Sequence, residues 1–181
     1  MYASTTIRNG VVVLGKGSTE IADLDVKELI KELNKAVADE WFAIYQYWYA
    51  SLSAEQIMSP IVMDAIKKAL EQEREHADEF ASRILELEGL PIRNPNEWNN
   101  VAHCKYAEPP EDPTDLKRFL QDALDGERCA MRAYNQIAKM TFGKDHVTYQ
   151  LVTHILAEEA EHEEMFEDLL ENLPCTFSRV K

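Results

Sequence analysis

Apolar residues recur at helical spacing in four long stretches of this chain, and in each stretch the stripe is broken by acid. The first stripe reads Leu33, Val37, Glu40, Ile44, Tyr47. The second reads Ile66, Leu70, Glu73, Ala77, Phe80, with His76 on the same face. The third is Leu120, Ala123, Glu127, Met131, Tyr134, and the fourth Val152, Ile155, Glu159, His162, Phe166. The pattern predicts four amphipathic helices of roughly 27–30 residues.

Terminal signals bound these helices. Asp25-Val-Lys-Glu28 reads as a capping box opening the first, which should run to about Leu52. Its second half, from Trp41 to Tyr49, is aromatic nearly all round, so it should bury more than one face, including one at a subunit contact. Ser59-Pro60 should open the second helix, and Gly89 with Pro91 should close it near Glu88. Residues 90–113 carry five prolines and form a long connection, with a short helical turn expected near Glu97–Ala102. Pro113-Thr114-Asp115 opens the third helix, ending near Thr141. The turn Phe142–Asp145 leads into the fourth, closed by Pro174.

The expected fold is therefore all-α: two helical hairpins joined by one crossover, a four-helix bundle with no fifth helix. Residues 1–22 read as an arm with a short strand at Val11–Leu14, residues 23–173 as the bundle, and residues 174–181 as a tail. Each half of the bundle repeats one plan, a helix with a single core glutamate followed by a helix with Glu-x-x-His.

A lone buried carboxylate is costly and either protonates or finds a cationic partner. Four of them with two histidines, Glu40, Glu73, His76, Glu127, Glu159 and His162, ask for a shared one. Helix rise brings the members of each hairpin level, those of the first at roughly 18–20 Å from its turn. Whether the two hairpins are level depends on the crossover, whose ~24 residues can span up to ~80 Å. Carboxylates mixed with neutral imidazoles suit iron or manganese, and two divalent ions would balance four carboxylates. A salt-bridged polar core is the plain alternative. Tyr47 and Tyr134 lie two turns beyond a glutamate on its face; packing is the first reading for both, with a hydrogen bond or electron donation to the cluster as the second. Glu71, Glu75, Glu79, Glu158, Glu161 and Glu163 point elsewhere and read as solvated, with a cation path the sharper reading for Glu75, Glu161 and Glu163. His154 reads as structural.

Composition narrows the function. The chain has 181 residues, 45% hydrophobic, and a formal net charge of −14, which argues against binding to DNA or anionic membranes. It shows no apolar run of ~18 residues and no signal-peptide core, so a cytoplasmic location is expected. Three cysteines, Cys104, Cys129 and Cys175, form no Cys-x-x-Cys, which disfavours a zinc or rubredoxin-type iron site.

Three stretches carry a resemblance: Asp125-Gly-Glu127-Arg-Cys129-Ala-Met-Arg, Met140-Thr-Phe-Gly-Lys-Asp145, and Glu158-Glu159-Ala-Glu-His162-Glu, together with Cys104 in the crossover. Over about residues 25–173 the chain resembles the ferritin-like superfamily, in its Dps-like (thioferritin) branch, with a bacterioferritin-type di-iron site inside one subunit. The resemblance implies a hollow shell of twelve subunits that oxidises ferrous iron with hydrogen peroxide or dioxygen, stores the ferric product and limits oxidative stress. It makes the six residues above the ligands of two iron ions, with manganese or zinc as substitutes, and Cys104 and Cys129 a cysteine pair near the site. Whether that pair forms a disulfide or two buried thiols stays open. Arg74 stands where bacterioferritin has its haem-ligating methionine, so haem is not expected. Two rivals remain: a di-manganese catalase or other di-metal oxidase on the same bundle, and a non-enzymatic DNA-protecting assembly protein.

Overall fold

The computed structural model describes residues 6–8, 11–13, 17–53, 60–112 and 114–173. The Asn9-Gly10 turn signal, the Ser59 cap, Pro113, Pro174 and the tail with Cys175 lie outside the described residues, as does the stretch on which the absence of a fifth helix was expected.

The fold is the four-helix bundle. Its long helices are α2 (Val26–Ser53), α3 (Pro60–Glu86), α5 (Leu116–Thr141) and α6 (His146–Glu171). Before them come a two-stranded antiparallel hairpin, β1 (Thr6–Arg8) with β2 (Val11–Val13), and the short α1 (Gly17–Glu20). The crossover carries a 3₁₀ turn at Pro95–Glu97 and the single turn α4 (Trp98–Val101), where a short helical turn was expected. Helix α2 packs along α3 and α5 along α6; the hairpins meet through α2 with α5 and α3 with α6, and α4 lies on α2. Among the described residues, no helix is long and apolar enough to cross a membrane.

The caps follow the sequence with two refinements. Asp25 Oδ1 accepts from the backbone of Lys27 and Glu28 at 3.0 and 3.3 Å, while the Glu28 carboxylate turns to Lys31 rather than completing the box. At the end of α3 the left-handed position falls on Glu88, φ 61°, not on Gly89. Gly89 N–H reaches Ile84 C=O at 2.9 Å and Glu88 N–H reaches Leu85 C=O at 3.0 Å, the two bonds of a Schellman motif. Gly89 is needed for closeness: a Cβ there would stand 2.9 Å from Ile30 and 3.0 Å from Ile84. Because a side chain in the left-handed region costs roughly 1 kcal/mol, Glu88→Gly is expected to raise the thermal midpoint by a few degrees. A midpoint unchanged or lowered in calorimetry would contradict this account of the turn.

Two apolar layers fill the bundle. One gathers Ile44, Met63, Ile66, Leu70, Phe119, Leu120 and Phe166; the other gathers Leu29, Leu33, Phe80, Ile84, Ile137, Val152 and Ile155. Between them lies a thin polar layer. On the outside of α2, Trp41 stacks on Trp98 of the crossover at 5.5 Å, yet Trp41, Tyr45, Trp48 and Leu52 remain 41–61% exposed.

Candidate metal centre

The polar layer is built from the six residues singled out in the sequence. Glu40 comes from α2, Glu73 and His76 from α3, Glu127 from α5, Glu159 and His162 from α6, and each is 3% exposed or less. The crossover therefore sets the hairpins level, the point that helix counting left open. His76 Nδ1 lies 3.3 Å from Glu73 Oε2, 3.2 Å from Glu159 Oε1 and 3.8 Å from Glu40 Oε2. His162 Nδ1 lies 3.1 Å from Glu73 Oε1, 3.5 Å from Glu159 Oε2 and 3.8 Å from Glu127 Oε1.

These distances divide the set in two. Glu40, Glu73, His76 and Glu159 form one group of donor atoms within 4.8 Å of one another, and Glu73, Glu127, Glu159 and His162 form the other. Glu73 and Glu159 belong to both, each presenting one oxygen to either histidine. Glu40 and Glu127 each serve one group only.

Electrostatics show what the layer lacks. Glu73 Oε1, both oxygens of Glu159 and His162 Nδ1 are buried without a well-formed hydrogen bond. Burial pushes the Glu40 and Glu127 carboxyls well above the usual range, and the charges of Glu159 and Glu73 push the same way. Burial opposes the charge of Glu73 as well, but the facing imidazoles of His162 and His76 hold that carboxyl low. Burial also disfavours charge on the histidines. The facing carboxylates of Glu159 and Glu73 nonetheless raise His162 to about 9, and those of Glu159 and Glu40 raise His76 further. Protons thus do part of the work of a cation. Buried acceptor atoms without partners and a mixed carboxylate and imidazole set suit two divalent ions of the iron or manganese kind.

A ferritin-like domain model matches residues 30–176. The chain belongs to the ferritin-like family. A "DNA protection during starvation protein" from Pyrococcus furiosus is 37% identical over 155 residues, 86% of this chain and 83% of that protein. The solved structure of a bacterioferritin-related protein from Bacteroides fragilis, described as a dodecameric thioferritin, shares 42% identity with a TM-score of 0.82, covering 87% of this chain and 94% of that one. Bacterioferritin from Desulfovibrio desulfuricans, whose structure is described for its diiron site in different catalytic states, shares 27% identity with a TM-score of 0.69, covering 81% and 80%.

The ferritin-like bundle also positions residues that the pattern alone undervalued. Tyr47 and Tyr134 do more than pack. Their buried phenols reach across the bundle, Tyr47 donating to Glu127 and Tyr134 to Glu40. Each holds the carboxylate that serves a single group, as a buried hydroxyl requires a partner. Glu158, read as solvated, instead lies 2.7 Å from His76 Nε2 through its Oε2. Of the other flanking acids, Glu75, Glu161 and Glu71, which pairs with Arg74, are exposed as the solvated reading has them, whereas Glu163 is half-buried against Arg128 and Glu79 has its Oε2 buried without a partner. His154 is exposed and lies 3.9 Å from Glu158.

Beside Glu40, Asp39 is buried and anchors the crossover. Its Oδ2 lies 2.7 Å from His103 Nδ1 and its Oδ1 accepts from Cys104 N–H at 2.8 Å, while His103 Nε2 reaches Glu32 at 2.9 Å. Neither His103 nor Asp39 breaks a stripe, so periodicity gave no sign of this. Cys104 and Cys129 are joined in a disulfide, Cα atoms 5.9 Å apart, which ties the crossover to α5 two residues after Glu127. A cavity between α2 and α5, beneath Cys104 and Lys105, reaches Glu40, Glu127, Tyr47 and Tyr134.

Proposed function

We propose that this chain is a subunit of a hollow shell, of the twelve-copy kind described for its B. fragilis relative, that oxidises and stores iron. Ferritin-like membership with bacterioferritin and Dps relatives supports iron storage and ferroxidase activity at the level of the family. The observation that carries the reading for this chain is the pair of carboxylates, Glu73 and Glu159, each offering one oxygen to either half of a buried six-residue set. Residues 23–173 act as one domain in this reading, with residues 1–22 and 174–181 as arm and tail. The exposed aromatic face of α2 supports assembly, since contiguous apolar surface of that kind marks contacts. A cytoplasmic location goes with it, and there the Cys104–Cys129 bond is redox-active rather than a permanent brace.

In this reading two ferrous ions are substrates held by Glu40, Glu73, His76, Glu127, Glu159 and His162. Each gives up one electron. Hydrogen peroxide takes both, with two protons; its O–O bond breaks and two waters form, leaving two ferric ions for the cavity. With dioxygen the same two electrons and two protons yield peroxide. The protein's part is to bring the ions together, balance their charge with carboxylates, and exclude bulk water. Tyr47 and Tyr134 keep Glu127 and Glu40 aimed inward.

Mixing ferrous iron with purified protein should give fast oxidation and a soluble ferric core, faster with peroxide than with air. Glu127→Ala combined with His162→Ala should bring the rate to that of iron in buffer. An unchanged rate sinks the assignment, and oxygen release from peroxide without mineral would move it to a manganese catalase. The name of the P. furiosus relative favours a second reading, protection of DNA. A net charge of −14 argues that protection would come from removing iron and peroxide, so the shell should not retard DNA in gels at physiological salt.

A further inference from the structure

The two histidines of the metal centre turn Nδ1 inward, and each sends Nε2 outward into the groove between α3 and α6. There the two ring nitrogens are linked by a pair of side chains. His76 Nε2 meets Glu158 Oε2 at 2.7 Å, Glu158 Oε1 meets Gln72 Nε2 at 3.4 Å, and Gln72 Oε1 meets His162 Nε2 at 3.3 Å. Gln72 and Glu158 occupy equivalent places in the repeated halves, each immediately before the glutamate of a Glu-x-x-His step.

The polarity of this relay follows from one fact. An ionised carboxylate only accepts hydrogen bonds. Facing Glu158, His76 Nε2 must carry a hydrogen, and Gln72 must present its NH₂. The amide oxygen of Gln72 is thereby turned to His162, whose Nε2 must also carry a hydrogen. Glu158 thus settles both rings, leaving Nδ1 of each as the atom able to bind an ion.

The relay is not symmetric. His76 donates over a short distance to a charged group, and His162 donates over a longer one to a neutral amide. A charge-assisted bond is roughly twice as strong as a neutral one and makes the imidazole the better donor to a cation.

Resting on the six residues as metal ligands, we propose that Glu158 and Gln72 are positioning residues. They fix both histidines with Nδ1 inward and make the His76 half of the centre bind divalent metal more tightly than the His162 half. Neither side chain touches the ions; both act through the rings.

Anaerobic cobalt(II) titration of the assembled full-length protein, followed by visible absorption and calorimetry, tests this. Wild type should take up cobalt in two unequal steps. Glu158→Ala should weaken the tighter step by about 10–100-fold, so that the two converge. Glu158→Gln, which keeps an acceptor oxygen without the charge, should recover part of that loss. Gln72→Leu should weaken mainly the looser step. The Glu158 side chain is 27% exposed, so these variants are expected to fold, and melting without metal checks that they do. If Glu158→Ala and Gln72→Leu titrate as wild type while Glu127→Ala with His162→Ala loses the looser step, the positioning role is overturned and the ligand assignment stands. If wild type takes up no cobalt, the ligand assignment itself falls, and the relay with it.

Discussion

Glu73→Ala is expected to abolish metal uptake at both halves of the centre, whereas Glu40→Ala should spare one. Glu73 lies in both four-residue donor groups and sends one oxygen toward each histidine; Glu40 lies in a single group. Losing a shared carboxylate removes a donor from each ion and the charge between them. The rate of ferrous oxidation should fall by more than the roughly 10–100-fold that outer partners of metal ligands cost. Glu73→Gln preserves shape and one oxygen acceptor but not charge, and should behave nearly as poorly. Metal content per subunit after loading, with oxidation rate beside it, gives the check. Equal losses in Glu73→Ala and Glu40→Ala would remove the distinction between shared and single carboxylates.

The second large effect concerns stability. Arg83 is 2% exposed, and its guanidinium holds the turn between α5 and α6 against α3. Nη2 donates to both oxygens of Asp145 at 3.1 and 2.9 Å, Nε to Thr148 Oγ1 at 2.8 Å, and Nη1 to Glu86 at 2.7 Å. Asp145 in turn caps α6, accepting from the backbone of Val147 and Thr148. Removing one member leaves the other charge buried and unpaired, which costs about 3–5 kcal/mol. Arg83→Met is therefore expected to lower the melting midpoint by on the order of 10 °C.

Acidity should report the same network. Burial opposes the charge of Asp145, but Thr148 and then Arg83 hold the carboxyl below its ordinary value. A carboxyl depressed in the folded state contributes stability above its unfolded pKa, near 4, and that contribution is lost as pH falls through the folded value. Stability of the parent protein should thus drop below about pH 4 more steeply than that of Arg83→Met. Parallel acid profiles would remove Arg83 from the account.

The bundle and its centre were legible because their signals are local. An acid within an apolar stripe stands out in one helix, and residue counts place it along that helix. Glu158 and Gln72 carried no such mark. Each sits one residue, about 100°, off the core stripe, where a side chain faces either solvent or a groove according to how closely the next helix approaches. Tyr47 and Tyr134 lay on the right face, but their partners belong to the opposite hairpin, and only the crossover decides which carboxylate each meets. The contact of Asp39 with His103 is likewise long-range. At Glu88 the sequence misled for another reason: Gly89 looked like the residue with backbone freedom, whereas it is the crowding by Ile30 and Ile84 that requires it.

The buried phenols have a further effect, on alignment. Helices meeting through uniform apolar stripes can slip past one another by a turn, about 5.4 Å, with little change in buried area. If one hairpin slipped against the other here, Tyr47 would lose Glu127 and Tyr134 would lose Glu40, and all four groups would face aliphatic neighbours. Each buried polar group left unpaired costs roughly 1–3 kcal/mol. The polar layer therefore works as an index mark that selects one sliding position for the bundle. Because the phenols supply that mark themselves, the halves of the centre are in step before any ion arrives.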